Sequence, residues 1–171
     1  VFVDIFVESL EYNSMRDRKY LENLMYDIWE NHFCDIPRKN FVLIKFGKYS
    51  KKQLGSIKLA NEYTRIKELM RRNLGDYEAQ DDSRITVITI TKYFQNEAIP
   101  EFVVRATIAH ELCHYAHGFS SPLDKQFAKP HQGDVINKEL AKRDLLEEQK
   151  LADKWLEGNW ASIVYSSNKF F

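Results

Sequence analysis

The residues of this sequence best suited to chemistry form a His-Glu-x-x-His pattern, His110-Glu111-Leu112-Cys113-His114. On a helix, residues four apart lie on one face, so the imidazoles of His110 and His114 can reach one metal ion. Glu111 is turned about 100° from His110, because a helix has ~3.6 residues per turn. Its carboxylate then lies beside the metal, where a general base for a metal-bound water belongs. The pattern predicts a zinc site that activates water.

The surroundings of this pattern favour a metal over a purely structural role. Four of the five histidines fall between His110 and His131. Buried histidine and glutamate are costly unless they are hydrogen-bonded or bound to metal. The alternative is a core helix with two hydrogen-bonded histidines. The flanking residues are mostly apolar and predict a helix buried on most sides: Val103, Val104, Ala106, Thr107, Ile108, Ala109, Leu112, Cys113 and Ala116.

A catalytic zinc usually has three protein ligands and one position for water, so a third ligand is needed. His117 follows His110 by seven residues. At ~1.5 Å per residue their Cα atoms are about 10 Å apart, too far for one straight helix to supply all three ligands. His131 can be returned to the motif by a loop that contains Gly118, and we favour it as the third ligand of one zinc per chain. Two further candidates lie on a later predicted helix: Glu147 and Glu148.

Length and composition predict one globular domain over residues 1–171. Hydrophobic residues make up 44% and charged residues 29% of the sequence, a balance typical of globular chains. No apolar run is long enough to span a bilayer, and the first eight residues lack the basic region of a signal peptide. The two cysteines, Cys34 and Cys113, are expected to be small core residues in a reducing compartment. These features predict a cytoplasmic protein, nucleoid- or nucleus-associated if it binds DNA.

The net charge of zero conceals a basic stretch between Arg38 and Arg72. Eleven lysines and arginines fall there, opposed by Glu62 and Glu68. Such a stretch is either a solvated surface or a face for phosphate backbone, because clustered cations release counterions on binding. Binding would be independent of DNA sequence. The candidate DNA contacts are Lys48, Lys51, Lys52, Arg71 and Arg72, and the aromatic residues that could stack on bases are Phe41, Phe46, Tyr49 and Tyr63.

Hydrophobic periodicity predicts the elements that position the motif. A helix is expected over about 9–32, capped by Asn13 or Ser14. Strands are expected over 41–46, 54–59 and 84–92, with a polar hairpin loop at 47–52 and a short helix or a long hairpin near 62–72. Pro100 opens the motif helix and Gly118 ends it. After a loop, helices follow from 130 to about 156, and the apolar segment 160–165 packs back on the body.

The order of these features resembles the SprT-like (Spartan-type) metalloprotease domain of the zincin clan. The resemblance covers most of residues 10–145. It is carried by the strand over 85–91, by Thr107-Ile-Ala-His-Glu-Leu-Cys-His114, and by His131-Gln-Gly-Asp-Val135. The third histidine of that family opens an H-G-x-x-[FW]-like segment. Here Gln132 stands where glycine is usual and Gly133 follows one residue later, which departs from the family's pattern.

The resemblance implies an α+β, zincin-like fold with a small mixed sheet beside the active-site helix and further helices at both ends. It implies a zinc endopeptidase that cleaves DNA-associated proteins, as in DNA–protein crosslink repair, with nucleic acid as an activator. His110, His114 and His131 would hold the zinc, and Glu111 would be the base. An extended peptide is expected to dock along the sheet edge.

Two other hypotheses remain open at this point. One is a gluzincin-type soluble peptidase with Glu147 or Glu148 as third ligand and no role for DNA. The other is a non-catalytic, zinc-stabilised DNA-binding module. The presence of Glu111 argues against that module, because a structural metal site needs ligands but no base. The sequence identifies no oxyanion-stabilising residue beyond the guesses Tyr115 and Arg105.

Overall fold

The structure, a computed structural model, describes residues 15–61 and 84–167. The chain is of mixed α+β class in this part, as predicted, with a small mixed sheet. Predictions for residues 62–72, for Asn13 and Ser14, and for Tyr63, Arg71 and Arg72 lie outside the described residues. The described helices and strands are α1 (Arg18–His32), β1 (Val42–Phe46), β2 (Gly55–Leu59), β3 (Thr86–Ile90), α2 (Glu101–Ala116), α3 (Val135–Lys142) and α4 (Leu146–Ser167), with short 3-10 turns at Lys92–Gln95 and Gln132–Asp134.

The sheet has the strand order β1-β3-β2, so β3 is its centre. Strand β3 runs parallel to β1 and antiparallel to β2, and Ile88 is aligned with Ile44 on one side and Ile57 on the other. The predicted hairpin between β1 and β2 is therefore wrong. The intervening loop instead passes around the end of β3, where Gly47 N–H donates to Ile90 O at 2.8 Å and Thr91 Oγ1 donates to Ser50 O at 3.0 Å.

Helix α1 begins later than the periodicity suggested. Asp17 is its N-cap, and the Asp17 carboxylate accepts a hydrogen bond from Tyr20 N–H at 2.9 Å, which satisfies a free amide of the first turn. One face of α1 is buried, and its Trp29 ring meets the Tyr115 ring of α2 edge to face, with ring centroids 5.0 Å apart. This contact fixes α1 against the helix that carries the His-Glu-x-x-His pattern.

Helix α2 is the buried centre of the fold, and its ends are where the sequence placed them. Pro100 is the N-cap and the helix ends at Ala116. Gly118 has φ of +80°, a left-handed conformation that favours glycine, and a side chain there would collide with the backbone of Asp124 and Lys125. Eleven of the 16 residues of α2 are buried, so the helix is apolar on most faces, as predicted.

Helix α4 runs without interruption through residue 167, so the predicted end near 156 is wrong. The predicted packing of segment 160–165 is confirmed, because the Trp160 ring lies 5.3 Å from that of Tyr93 and 6.0 Å from that of Phe94. Cys113 is buried as expected, whereas Cys34 is exposed, contrary to its prediction as a core residue. None of the described helices is long and apolar enough to cross a membrane.

Candidate metal centre

The structure brings together three histidines, two from helix α2 and one from the segment before α3. One ring nitrogen from each of His110, His114 and His131 lies within 4.8 Å of the other two. The ring centroids are 4.9 Å apart for His110 and His114, 5.3 Å for His110 and His131, and 4.7 Å for His114 and His131. This is the only such group of potential ligands in residues 15–61 and 84–167.

The loop after α2 returns His131 to the motif. Its first part is fixed to the end of the helix, because Phe119 N–H donates to His114 O at 2.9 Å and Gln126 Nε2 donates to Ala116 O at 2.9 Å. His131 then precedes the 3-10 turn, in which Gly133 has φ of 59°. A glycine adopts that conformation at little cost, so the chain can turn sharply into α3 directly after His131.

The donor set fits zinc. Burial lowers the pKa of His110 to about 4, and nearby His131 lowers it as well. Burial, followed by the other histidines, lowers the pKa of His114 to about 3. Both rings are therefore neutral near pH 7 and keep a lone pair for a metal. His114 Nδ1 is also buried without a hydrogen-bond partner among the described residues, a cost that metal binding can remove. Three histidine ligands leave one tetrahedral position for water.

Glu111 is buried beside this group, against strand β2. Burial raises the pKa of its carboxyl to about 7, which suits a base that must gain and lose a proton at neutral pH. The carboxylate fits because residue 55 is glycine: an ideal Cβ there would lie 2.6 Å from Glu111 Oε1 and 2.9 Å from Thr107 Cγ2. Gly55 lies within the strand that the sequence predicted over 54–59. A glycine inside a strand often marks such a close approach.

A cavity of about 650 Å³ opens in front of the histidines and Glu111. Strand β2 forms one wall of the cavity and helix α4 forms another. The sequence patterns gave no sign of the α4 wall, because its residues reach the site only through the packing of α4 on α2. That wall consists of Gln149, Ala152, Asp153 and Leu156.

Strand β2 presents an edge to the cavity in the described part of the fold. Thr91 N–H donates to Leu54 O at 2.8 Å and Ala60 N–H donates to Ile85 O at 2.7 Å. Hydrogen-bonded pairs alternate in an antiparallel ladder, so the backbone groups of Gly55 and Ile57 point away from β3. Ile57 O accepts from Ser120 Oγ at 3.2 Å, so the loop after α2 covers the edge at that point. The part of the β2 edge that lies beside Glu111 is therefore the backbone of Gly55.

The alternative acidic ligands are placed elsewhere. Glu147 is exposed and its Oε1 lies 2.7 Å from Lys150 Nζ. Glu148 binds Arg105, with 3.1 Å between Oε1 and Nε, and Arg105 also binds Asp27. Neither glutamate belongs to the group whose ligand atoms converge.

The two guesses for an oxyanion-stabilising residue do not line the cavity. Arg105 is held by its ion pairs, and the buried Tyr115 donates its hydroxyl to Asn40 Oδ1 at 2.9 Å. His117 is buried at the C-cap of α2, outside the three-histidine group, with Nε2 3.5 Å from Glu139 Oε2. It is therefore a neighbour of the site, as its position along the helix predicted.

Of the predicted DNA contacts, Lys48, Lys51 and Lys52 are exposed, and Arg71 and Arg72 lie outside the described residues. Lys52 lines the cavity, and so does Lys58 of β2. Among the aromatic candidates, Phe46 packs against the core, Phe41 is half-buried and Tyr49 is 43% exposed. Tyr49 is therefore the most exposed of these three candidates.

Comparisons of the chain with protein-family models, with curated proteins and with solved structures gave no match. The residues of the site therefore carry the functional assignment.

Proposed function

We propose that this chain is a zinc-dependent endopeptidase with a zincin-like active site. One observation carries the proposal: three histidine nitrogens within 4.8 Å of one another stand next to the buried carboxyl of Glu111. A structural zinc site is closed by four protein ligands and needs no base. Here three ligands face an open cavity and a base is present, which is the composition of a hydrolytic site.

The chain's own residues account for the steps of peptide hydrolysis. His110, His114 and His131 would hold the zinc, which would polarise the scissile carbonyl and lower the pKa of a water. Glu111 accepts the proton of the attacking water and delivers it to the leaving amine. The outward N–H and C=O of Gly55 would hold an extended peptide by strand addition beside Glu111.

Zinc content tests the ligand set. Protein purified without added metal should contain close to one zinc per chain, and His131→Ala should lower that content sharply. Glu148→Ala is the matched control, because it removes the alternative gluzincin ligand while all three histidines remain. Zinc loss in Glu148→Ala or Glu147→Ala, with full retention in His131→Ala, would favour the gluzincin hypothesis and contradict the proposed centre.

The second part of the proposal is that the substrates are DNA-associated proteins. Its support is the row of exposed lysines next to the cavity: Lys48 and Lys51 lie on the loop that leads to Lys52, which lines the cavity itself. Affinity for single-stranded DNA should fall steeply with salt, because phosphate contacts release counterions. Such a role implies a nucleoid or nuclear location.

Charge reversal of Lys48 and Lys51 tests this part. Both residues lie outside the cavity lining, so the double Glu variant should bind DNA more weakly and cleave a DNA-bound protein more slowly, while cleavage of a free peptide is retained. Reversal of Lys142 and Lys154, two exposed lysines on α3 and α4, is the control for net charge. DNA binding equal to wild type in the Lys48 and Lys51 variant, or no binding by wild type at low salt, would contradict a DNA partner.

A further inference from the structure

Helix α4 brings to the histidines a carboxylate that is not part of the His-Glu-x-x-His pattern. Asp153 lines the main cavity together with His110 and His131. It also lines an adjoining cavity of about 270 Å³, which the same two histidines line. Asp153 therefore lies beside two of the three candidate ligands.

Gln149, one turn earlier on α4, orients this carboxylate. Its amide Nε2 donates to Asp153 Oδ1 at 2.8 Å, and Gln149 itself lines both cavities. The bond restrains one carboxylate oxygen and leaves Oδ2 as an acceptor. A side chain at an exposed helix position is usually mobile. The amide of Gln149 restrains the Asp153 side chain next to the histidines, so less conformational entropy is lost when the carboxylate interacts with one of them.

Asp153 shares the lining of both cavities with His110 and His131, so its negative charge lies near the ion that these histidines would hold. Three histidine ligands bring no negative charge to offset that of a divalent ion. A carboxylate next to a ligating histidine offsets that charge and makes the imidazole a stronger donor, commonly by accepting its second ring N–H.

We propose that Asp153 is a positioning residue of the metal centre: restrained by Gln149, its carboxylate interacts with His110 and stabilises the cation bound there. The inference rests on the proposed zinc site and adds a fourth side chain to it. Asp153 is not one of the three converging ligands, so its effect is on the affinity for metal and on the environment of His110.

Metal affinity of Asp153→Asn tests the inference. Asparagine keeps the size of the side chain and removes its charge. Zinc affinity, measured by competition with a chromogenic chelator, should fall about tenfold or more, the usual effect of losing such a partner. The visible spectrum of the cobalt-substituted protein should keep the intensity of a tetrahedral site and shift in wavelength, which a purely structural role of Asp153 would not cause. Circular dichroism checks that the variant is folded.

Glu157→Gln is the matched control, since it makes the same charge change one turn further along α4, at an exposed residue outside both cavities. Its zinc affinity should stay within about twofold of wild type, because Glu157, unlike Asp153, does not share a cavity with the histidines and its charge is screened by water. Equal affinity in Asp153→Asn and wild type, or an equal loss in Glu157→Gln, overturns the inference. If His131→Ala still weakens zinc binding in that case, the proposed function stands and only the role of Asp153 fails. No zinc binding by wild type overturns both.

Discussion

Alanine at Gly55 probes how strand β2 sets the position of the Glu111 carboxylate. The added Cβ would lie 2.6 Å from Glu111 Oε1, 3.1 Å from Glu111 Cγ and 2.9 Å from Thr107 Cγ2. Ordinary contacts begin at 3.4 Å, so Oε1 must withdraw by about 0.8 Å. The backbone of Gly55 is not in the left-handed region, so alanine adopts it without torsional strain. The substitution therefore displaces the base and touches no metal ligand.

A displacement of about 1 Å in a catalytic group costs on the order of 100-fold in rate. At about 1.4 kcal/mol per tenfold, this is about 3 kcal/mol of transition-state stabilisation. We therefore expect kcat/KM for a fluorogenic peptide to fall roughly 100-fold in Gly55→Ala. Zinc content should equal that of wild type, because His110, His114 and His131 keep their places.

Gly158→Ala is the matched control, because a Cβ at Gly158 meets nothing within 4 Å. That variant should keep wild-type kcat/KM and gain about 0.5–1 kcal/mol of stability, as alanine does in a helix. Wild-type activity in Gly55→Ala would refute the reasoning that β2 positions the base. Loss of zinc along with activity would also refute it, since the change would then act through the metal.

Two further predictions concern stability. Burial raises the pKa of Glu111 from 4.5 to about 7. Between these pH values the folded protein keeps a proton that the unfolded chain releases. The resulting contribution to stability is therefore fully present below about pH 4.5 and is lost as the pH rises through about 7. Glu111→Gln has no carboxyl to titrate, so its stability should not change for this reason. In thermal unfolding with a chelator present, the stability of Glu111→Gln relative to wild type should therefore rise between about pH 4.5 and pH 7. A difference that stays constant over this interval would contradict the raised pKa of Glu111. The Arg143 guanidinium is buried and bound to Asp35 and Glu139 at 2.6 Å each, so Arg143→Met should lower the free energy of unfolding in urea by about 3–5 kcal/mol. Arg18→Met breaks a partly exposed pair with Glu22 and should cost at most about 1 kcal/mol. Equal losses in the two variants would contradict the role given to the burial of Arg143.

Local patterns predicted the elements of the fold better than their pairing. The ends of α2 follow from Pro100 and Gly118, which act through their own backbone preferences. The hairpin prediction was wrong because two neighbouring strands with a polar loop resemble a hairpin, while β3 is far away in sequence. Strand β3 takes the centre because its β-branched side chains are buried almost throughout, which stabilises it more there than at an edge.

The site residues also differ in how far local patterns predict them. His110, Glu111 and His114 are predictable because helical spacing alone places them. His131 could be chosen over the two glutamates only by the loop length and the family resemblance. Gly55 and Asp153 depend on which surfaces of β2 and α4 meet α2, and no local periodicity encodes that choice.

Peptide-bond cleavage by Glu111→Gln, compared with wild type at matched zinc content, tests the central claim most directly. Glutamine fills the space beside Gly55 and keeps the histidines in place, but it cannot accept the proton of the attacking water. We predict that wild type cleaves unfolded or DNA-bound proteins, and that Glu111→Gln retains zinc and fold while its kcat/KM falls by at least about 10²–10⁴-fold, the contribution of a general base. Equal rates for the two proteins, or no cleavage by either across a broad substrate panel, would contradict the assignment of a zinc endopeptidase with Glu111 as its base.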